Sequence, residues 1–479
     1  MEGQKRISRR NLLRLSGVAA GGALLAACGS TPTPQVVEKV VTQQVEKVVT
    51  QEVVKEVTVE KVVKETVAVE TVVTATPPPP APKGKVELQF WGPDPPEDFK
   101  GTLDKWNQAH PDMPATYVFT PNVSSVGTNP KFLAATLGGN PPDIFKHDGS
   151  SFSTSVVLNA FMELDDLAQR DGITSSLYWA PFWPKVVWDN KLYGLPLDTD
   201  ARCLYWNTTM FDHAGFKDAP KTLQETDAMA DKLTTGDKTS GYKVLGFVPW
   251  IGNWFLPGWG WIFGATMYDG NTHKSLLNAP EMVEALKWEA TYADKYGIEE
   301  ISSFSKSIAG ETTDPFTTSN MAMEVNGNWM LANFKKYAPD LKYGMAPCPG
   351  LPGKEPLTWS GGFVAGMPRG GKHVPEAWEL LKYLAGEEAQ LDFCELTAHL
   401  PTNVKAADTF IKSHPEQDLF VKLLPTTRIE PVFPEWAQAW DLLIAAEQDV
   451  FYGRKTPQQA LDDCNAKVQA AIDARLSGA

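Results

Sequence analysis

Tryptophan is the most distinctive residue type in this chain of 479 residues, because 16 are present and four of them fall between Trp250 and Trp261. Glycine and proline interrupt this stretch, so part of it is expected to form a loop rather than a regular core element. An indole ring is flat, large and rigid, and it can stack on the apolar face of a ligand. The stretch therefore predicts an aromatic binding surface with Trp254 as its first candidate, the alternative being that Trp259 and Trp261 pack inside the fold.

Alternating charged residues form a second candidate for chemistry. Asp198, Asp200 and Arg202 have the spacing that places side chains on one side of an extended strand. A carboxylate and a guanidinium can bind ligand hydroxyl groups through charge-assisted hydrogen bonds, or they can pair with each other and hold the strand. The sequence leaves both interpretations open.

Catalytic motifs are missing from the sequence. The patterns HExxH, GxSxG and GxxxxGK[ST] do not occur, and the seven histidines are scattered singly. Cys203, Cys348, Cys394 and Cys464 form no CxxC pair, and the sequence does not decide between buried thiols and disulfides. We therefore predict no metal, no cofactor and no catalytic residue.

Composition and charge bound the possible functions. The chain carries 44 Lys and Arg against 58 Asp and Glu, a formal net charge of −14, which disfavours nucleic acid as a partner. The length predicts two to three folded units, and 43% hydrophobic residues allow a sizeable core. No tryptophan precedes Trp91, so the first ninety residues differ in kind from the rest.

Residues 1–27 have the order of a lipoprotein signal peptide. A basic segment precedes an apolar run, Leu15 to Ala27, that is too short to span a bilayer. Residues 8–13 resemble a twin-arginine export motif and residues 25–28 resemble a bacterial lipobox, while the choice between twin-arginine and general secretion stays open. We expect acylated Cys28 to anchor the protein to the outer face of the cell membrane.

Residues 28–84 are predicted to form a tether. Val, Glu, Lys and Thr repeat from Val36 to Thr76 with apolar pairs every four positions, which fits neither a strand nor a sustained helix. Prolines at 77–80 and 82 then impose a stiff extended segment. A spacer is favoured over an oligomerising stalk because heptads are absent.

From Lys85 onwards, strand patterns alternate with helix patterns. Strands are predicted at 86–91, 116–119 and 143–145, separated by helices at 99–109 and 131–137. This βαβαβ order predicts an α/β fold with a largely parallel sheet. Later helices are predicted at 280–296, 374–385, 387–396, 436–453 and 457–476.

The chain from Lys85 to the C-terminus resembles the bacterial extracellular solute-binding proteins of sugar ABC transporters, the group that contains maltose-binding protein. Seven landmarks in order carry the resemblance, although Trp206 stands where a tyrosine is usual. They are the strand ending in Trp91, Gly139-Asn140-Pro141-Pro142-Asp143-Ile144, Leu192–Pro196 with Leu204–Asn207, Met321–Trp329, Ser360-Gly361-Gly362-Phe363, Leu400-Pro401-Thr402, and Gly453–Pro457 before an amphipathic helix.

The resemblance implies a two-lobe periplasmic-binding-protein fold of type II, with a ligand cleft between discontinuous lobes joined by hinge crossings. The expected N-lobe comprises 85–198 and about 346–390, and the C-lobe about 199–345 and 391–479. Such a protein is a monomer that captures a mono- or oligosaccharide without a chemical step and delivers it to ABC transporter permease subunits. The alternatives are a secreted carbohydrate-active enzyme, which needs two suitably spaced carboxylates, and a stalked adhesin.

A sugar cleft needs aromatic rings for the apolar ring faces and polar groups for the hydroxyls. For Asp200 and Arg202, a hinge ion pair is the alternative role, and Trp106, Trp288 and Trp378 are expected in the core because they lie in amphipathic helices. The predicted ligand-binding residues are Trp91, Asp94, Asp148, Ser150, Asp200, Arg202, Trp254, Trp329, Trp359, Gly361, Trp436 and Trp440.

Overall fold

The computed structural model describes residues 85–122, 129–308 and 314–478, so the predicted signal peptide, Cys28 and tether lie outside the described part. Among the residues described, no helix combines the length and apolar character needed to cross a membrane. The strands are β1 (Leu88–Gly92), β2 (Ala115–Phe119), β3 (Ile144–Asp148), β4 (Val187–Trp188), β5 (Lys191–Leu192), β6 (Gly194–Thr199), β7 (Arg202–Asn207), β8 (Thr235–Asp237), β9 (Gly241–Val244), β10 (Tyr268–Asp269), β11 (Lys274–Ser275), β12 (Met323–Gly327), β13 (Tyr343–Ala346), β14 (Thr358–Trp359), β15 (Phe363–Gly366), β16 (Leu400–Pro401) and β17 (Thr427–Arg428).

Seven of the sixteen helices in the described part were predicted from the sequence, and they begin and end within three residues of the predicted positions, whereas the other nine were not predicted. They are α1 (Pro96–Ala109), α2 (Pro130–Leu137), α3 (Phe152–Val157), α4 (Asp165–Asp171), α5 (Thr208–Ala214), α6 (Leu223–Leu233), α7 (Leu256–Phe263), α8 (Pro280–Tyr296), α9 (Ile298–Ile308), α10 (Met330–Tyr337), α11 (Val374–Leu384), α12 (Glu387–Thr397), α13 (Val404–Ser413), α14 (Asp418–Leu423), α15 (Trp436–Phe451) and α16 (Pro457–Ser477).

The larger sheet has the strand order β16-β6-β15-β3-β1-β2. Strand β1 pairs in parallel with β2 and β3, as the βαβαβ pattern predicts, whereas β15 and β16 run antiparallel to their neighbours. Four consecutive residues of β3 are buried, which is typical of a strand covered on both faces. Stacked rings of Phe132, Phe145 and Phe161 pack beside this strand.

The smaller sheet has the antiparallel order β12-β7-β13. Because β6 belongs to the larger sheet and β7 to the smaller, the chain passes from one to the other between Thr199 and Arg202. It returns between Ala346 and Phe363, where β15 joins the larger sheet. The lobe boundary predicted near residue 391 assigns β16 to the C-lobe, whereas this strand pairs with β6 in the larger sheet.

The three tryptophans that were expected in the core, because they lie in amphipathic helices, pack in or against the hydrophobic core. Trp106 and Trp378 are buried and Trp288 is half-buried against the same hydrophobic cluster. The four cysteines of the described part are buried free thiols, which settles the question that their spacing left open. Burial raises the pKa of each of these thiols, so they remain neutral and pack as small apolar side chains.

Two carboxyl groups are buried together where α8 meets α15. Glu289 is fully buried, and neither of its carboxyl oxygens has a hydrogen-bond partner among the described residues. Glu447 is 6% exposed, and its Oε1 also has no partner there. Burial raises the pKa of both, that of Glu447 to about 8, and the charge of Glu447 raises the pKa of Glu289 further. The folded protein therefore holds these protons at neutral pH while an unfolded chain releases them.

This pair makes the stability of the fold depend on pH. Between the ordinary carboxyl pKa and about pH 8, the folded state binds more protons than the unfolded state, so the free energy of unfolding falls as pH rises, by at most about 1.4 kcal/mol per pH unit for each group. We expect Glu447→Gln to be more stable than the unsubstituted protein at pH 7 by about 1–2 kcal/mol and nearly equal to it at pH 4.5. Urea denaturation across this range measures the difference. Glu355→Gln, at an exposed loop position, is the control, and parallel pH curves for both variants would contradict the prediction.

Candidate ligand-binding site

A cavity of about 1350 Å³ opens between elements of the two sheets. One wall is the loop after β1 with the start of α1, residues 93–98, joined by the end of α12. The other wall is α10 with Trp329 before it, together with Tyr343 of β13. Small-molecule sites commonly measure about 300–1000 Å³, so this cavity has room for a ligand of several rings.

The wall after β1 is built by close packing at Gly92. A Cβ at Gly92 would meet the Tyr117 hydroxyl at 2.7 Å and the Lys146 Cβ at 3.0 Å, so any larger residue would have to displace these side chains. The backbone N–H of Asp94 donates to the Tyr117 hydroxyl at 3.0 Å. Proline at the first position of α1 then starts the helix, with Glu97 in its first turn. This turn places Asp94 and Glu97 along the cavity.

A buried lysine fixes the Asp94 carboxylate. The Lys146 Nζ lies 2.9 Å from Asp94 Oδ1 and 2.9 Å from Asp198 Oδ2, and the Lys146 side chain is fully buried. Burial alone would lower the pKa of Lys146, but the two carboxylates outweigh it and raise this pKa, so the ammonium stays charged. The Phe363 and Phe393 rings cover the ammonium at 4.5 and 4.1 Å. The cluster ties the loop after β1 to β6.

Asp98 is the most perturbed carboxyl of the cavity. Burial raises its pKa to about 6, and the charges of Asp94 and Glu97 act in the same direction, opposed by Lys146 and Lys336. The Asp98 backbone N–H donates to the Pro95 carbonyl at 3.0 Å, but its side chain, unlike that of Asp94, forms no hydrogen bond or ion pair with another described residue. Its carboxyl group is available to a ligand in the cavity.

Trp329 supplies the indole surface of the opposite wall. A side chain at Gly327, the last residue of β12, would overlap the Trp329 ring, so glycine lets the ring fold back over the strand. His399 stacks on the ring with centroids 5.8 Å apart and an interplanar angle of 21°. The guanidinium carbon of Arg202 lies 5.4 Å from the Trp329 ring centroid. Trp329 is half-buried and thus keeps part of its surface open to the cavity.

Behind Trp329, Asp200 and Arg202 form the ion pair that the sequence allowed as an alternative. Arg202 Nη1 donates to Asp200 Oδ1 and, at 2.9 Å, to the Trp359 carbonyl. Arg202 Nε donates to the backbone and side-chain oxygens of Asn253, both at 2.9 Å. The backbone N–H of Gly361 donates to Asp200 Oδ1 at 2.9 Å. The pair holds three segments together at the point where the chain passes between the sheets.

A second polar network lies beside this pair. Lys185 Nζ donates to the Gly361 carbonyl and to Glu430 Oε2, both at 2.9 Å, and Trp359 Nε1 donates to Glu430 Oε1 at 2.8 Å. Asp148 Oδ1 accepts from the backbone N–H and hydroxyl of Ser150. Burial raises the pKa of Asp148 to about 6, and the charge of Glu430 contributes. The hydrogen bonds of these side chains are thus made with other groups of the protein.

The tryptophan-rich stretch is more buried than its sequence suggests. Residues 256–263 form helix α7, and Trp254 and Trp259 are fully buried. A side chain at Gly258 would meet the Trp254 ring at 2.6 Å, so the glycine that suggested a loop instead permits indole packing. Trp359 packs edge-on against Trp254 with centroids 6.2 Å apart. These rings form a continuous aromatic core.

The structure divides the predicted site residues into three groups. Asp94 and Trp329 line the cavity. Trp91 is half-buried in β1 and does not line the cavity; its Nε1 donates to the Gln89 side chain, and Lys131 covers its ring. Ligand contact by any of them stays a prediction. The third group, buried or nearly buried outside the cavity lining, contains Asp148, Ser150, Asp200, Arg202, Trp254, Trp359, Gly361, Trp436 and Trp440.

Sequence reasoning did not single out several cavity-lining groups. Glu97 and Asp98 follow Asp94 by three and four residues, so their proximity in sequence was an available signal. No sequence signal pointed to Tyr343 or His399, because only the folded structure brings these residues to the cavity. Within residues 85–122, 129–308 and 314–478, no three His, Cys, Asp or Glu side chains are grouped as metal ligands.

Comparison with known proteins places this architecture in a family. Residues 102–418, or 317 of 479, match the family of bacterial extracellular solute-binding proteins. A protein of Brucella abortus named as a binding protein is 27% identical over 292 residues, covering 60% of this chain and 69% of that protein. The galactooligosaccharide-binding protein of Bacillus subtilis is 27% identical over 357 residues, covering 71% and 79% of the two chains.

A solved structure agrees with this assignment. CpMnBP1 with mannobiose bound superposes with a TM-score of 0.73 at 27% identity, covering 80% of this chain and all of CpMnBP1. The match confirms the type II two-lobe periplasmic-binding fold expected from the sequence landmarks. This chain belongs to the bacterial extracellular solute-binding proteins.

Proposed function

We propose that this protein captures an oligosaccharide in the cavity between α1 and α10 and releases it chemically unchanged. The observation that carries the proposal is an indole surface, Trp329, facing the Asp98 carboxyl group, which has no side-chain partner among the residues described. An indole matches the apolar face of a sugar ring, and a carboxylate accepts strong hydrogen bonds from its hydroxyls. The cavity volume favours a ligand of several sugar units over a monosaccharide.

The named relatives support this substrate class. One is called a galactooligosaccharide-binding protein and the solved neighbour holds mannobiose, both ligands with more than one sugar unit. The relatives are binding proteins, which supports capture without catalysis. A glycoside hydrolase would instead need an acid and a second carboxylate flanking the bond to be cleaved.

The wider arrangement of the chain follows from the same proposal. Acylated Cys28 would hold the protein on the outer face of the membrane, and residues 28–84 would let the two lobes reach the permease subunits of a sugar ABC transporter. The protein would act as a monomer, with lobes divided as predicted from the sequence except that α12 and β16 group with the larger sheet. Palmitate labelling of the exported protein and of Cys28→Ser tests the anchor, with label expected only in the unsubstituted chain.

A thermal-shift screen tests the substrate class. Ligand that binds only the folded state raises Tm by an amount that grows with ligand concentration over Kd. We expect oligosaccharides of two to four units to raise Tm and the corresponding monosaccharides to do so less. A panel of gluco-, galacto-, manno- and chito-oligosaccharides with no effect on Tm at any concentration would contradict the proposal.

Asp98 should make sugar binding sensitive to pH. Its carboxyl group loses its charge as pH falls through about 6, and with it the charge-assisted hydrogen bond to a sugar hydroxyl. We therefore expect affinity to fall by about three- to tenfold between pH 7.5 and pH 5. Titration calorimetry of Asp98→Asn should give weaker binding at pH 7.5 and a flat pH profile. A profile in the variant as steep as that of the unsubstituted protein would assign the dependence to another group.

A further inference from the structure

The cavity separates two sets of opposite charge. Glu97 and Asp98 lie in the first turn of α1, on the wall attached to the larger sheet. Lys335 and Lys336 lie in the last turn of α10, on the wall that follows β12 of the smaller sheet. None of the four forms an ion pair with another described residue. Lys336 is therefore free to meet Glu97 and Asp98, whereas the charge of Lys335 also acts on Glu416, which lines the same cavity.

Within these sets, Lys336 interacts electrostatically with Glu97 and Asp98 across the cavity without forming an ion pair. Lys336 lowers the pKa of Asp98 against the dominant effect of burial. The pKa of Lys336 is raised first by its contact with Tyr337 and additionally by the charges of Glu97 and Asp98. The attraction thus acts between walls that are still apart.

Apolar side chains occupy the same two walls. Leu396 at the end of α12 is 55% exposed and Tyr337 at the end of α10 is 51% exposed, and both line the cavity. Helix α12 belongs to the α1 wall, because the rings of Phe99 and Phe393 stack 4.8 Å apart between these helices. Bringing the walls together would remove apolar surface from water as well as pairing charge.

We propose that Glu97 and Asp98 close onto Lys335 and Lys336 when the walls approach around a ligand, as an electrostatic contact that stabilises the closed state. The inference rests on the proposed function, since the ligand is what the walls enclose. The four charges need not contact the ligand to act, because any group that favours the closed state raises apparent affinity. Exposed charge pairs are screened by salt, so the affinity for an uncharged sugar should depend on ionic strength.

Binding titrations with an uncharged oligosaccharide at about 0.05 M and about 0.5 M NaCl test the contact. We expect affinity to fall at high salt, and Lys336→Glu to weaken binding by about five- to tenfold at low salt only. The double variant Glu97→Lys with Lys336→Glu exchanges the two charges and leaves the net charge unchanged. Its affinity should return to within about twofold of that of the unsubstituted protein. Lys354→Glu, an exposed position outside the cavity, is the matched control. Equal affinity of all variants at both salt concentrations would overturn the contact.

A second measurement does not need a ligand. Nitroxide labels at Lys100→Cys on α1 and Lys342→Cys before β13 report the distance between the walls. At low salt we expect Lys336→Glu to shift the distance distribution to longer values and the charge exchange to reverse it, whereas unchanged distributions would overturn the inference. If these shifts occur but no sugar binds, the closing contact stands and the proposed function fails. If sugar binds without any shift or salt effect, the proposed function stands and the closing contact fails.

Discussion

Replacing Trp329 by alanine is expected to weaken oligosaccharide binding by at least about 30-fold. The indole is the one tryptophan surface lining the described cavity, and removal of a central aromatic contact commonly costs 2 kcal/mol or more, that is, at least about 30-fold in Kd. Because Trp329 is half-buried, the fold should survive the change. Titration calorimetry gives the affinity and thermal unfolding gives the stability.

Trp188→Ala provides the control for this loss. Trp188 is also half-buried but does not line the cavity; Arg475 lies over its ring at 5.6 Å. We expect this variant to bind normally with a similar small change in Tm. Trp329→Phe should retain part of the affinity because a smaller aromatic face remains. Unchanged affinity in Trp329→Ala would remove the proposed stacking surface.

Replacing Lys146 by methionine is expected to lower the free energy of unfolding by about 3–5 kcal/mol. Methionine has a similar length and suits the surrounding phenylalanine rings, but it leaves the nearly fully buried Asp198 without its counter-charge. Burial raises the pKa of Asp198 even beside Lys146, so the variant must either keep an unpaired buried charge or bind a proton there, and both states cost stability. Urea denaturation monitored by tryptophan fluorescence measures the loss.

Adding Asp198→Asn to Lys146→Met shows how much of the lost stability comes from the unpaired charge and how much from altered packing. The double variant removes the stranded carboxylate and should recover much of the lost stability. Lys100→Met is the surface control, because Lys100 pairs with Asp104 in solvent and its loss should cost less than about 1 kcal/mol. A loss of under about 1 kcal/mol in Lys146→Met would show that the buried cluster does not hold the loop carrying Asp94.

Local signals predicted much of the architecture. The helix at 280–296 begins and ends where predicted, and α16 begins at Pro457, where Thr456 and Gln459 form a capping box. Strand β1 and its parallel partners follow from alternation and spacing alone. Such signals depend on residues near one another in sequence, so they can be recognised without knowledge of the fold.

The site was less readable because side-chain exposure depends on the fold. Trp254 and Trp359 share the composition of a binding platform, yet both are packed into an aromatic core. Asp200 and Arg202 had two possible roles, and their ion pair formed because Asn253 and Gly361 supply the remaining hydrogen bonds. Sequence spacing cannot show which polar groups find partners elsewhere in the chain.

The same argument explains why Asp98 was overlooked. It follows Asp94 by four residues, but its importance comes from having no side-chain partner in the described part of the chain and from a pKa raised by burial, both products of tertiary structure. Asp94 was selected from sequence and lines the cavity, yet Lys146 already occupies one of its oxygens. Adjacent carboxylates thus differ in availability for reasons that the sequence does not display.

The most direct test of the central claim is an equilibrium titration followed by recovery of the ligand. Titration calorimetry with the oligosaccharide that raises Tm most should give saturable binding of one ligand per chain. Mass spectrometry of the ligand released by denaturing the complex should then return the intact oligosaccharide at its starting mass. The account would be contradicted by the absence of saturable binding, or by recovery of shorter sugars, which would identify an enzyme.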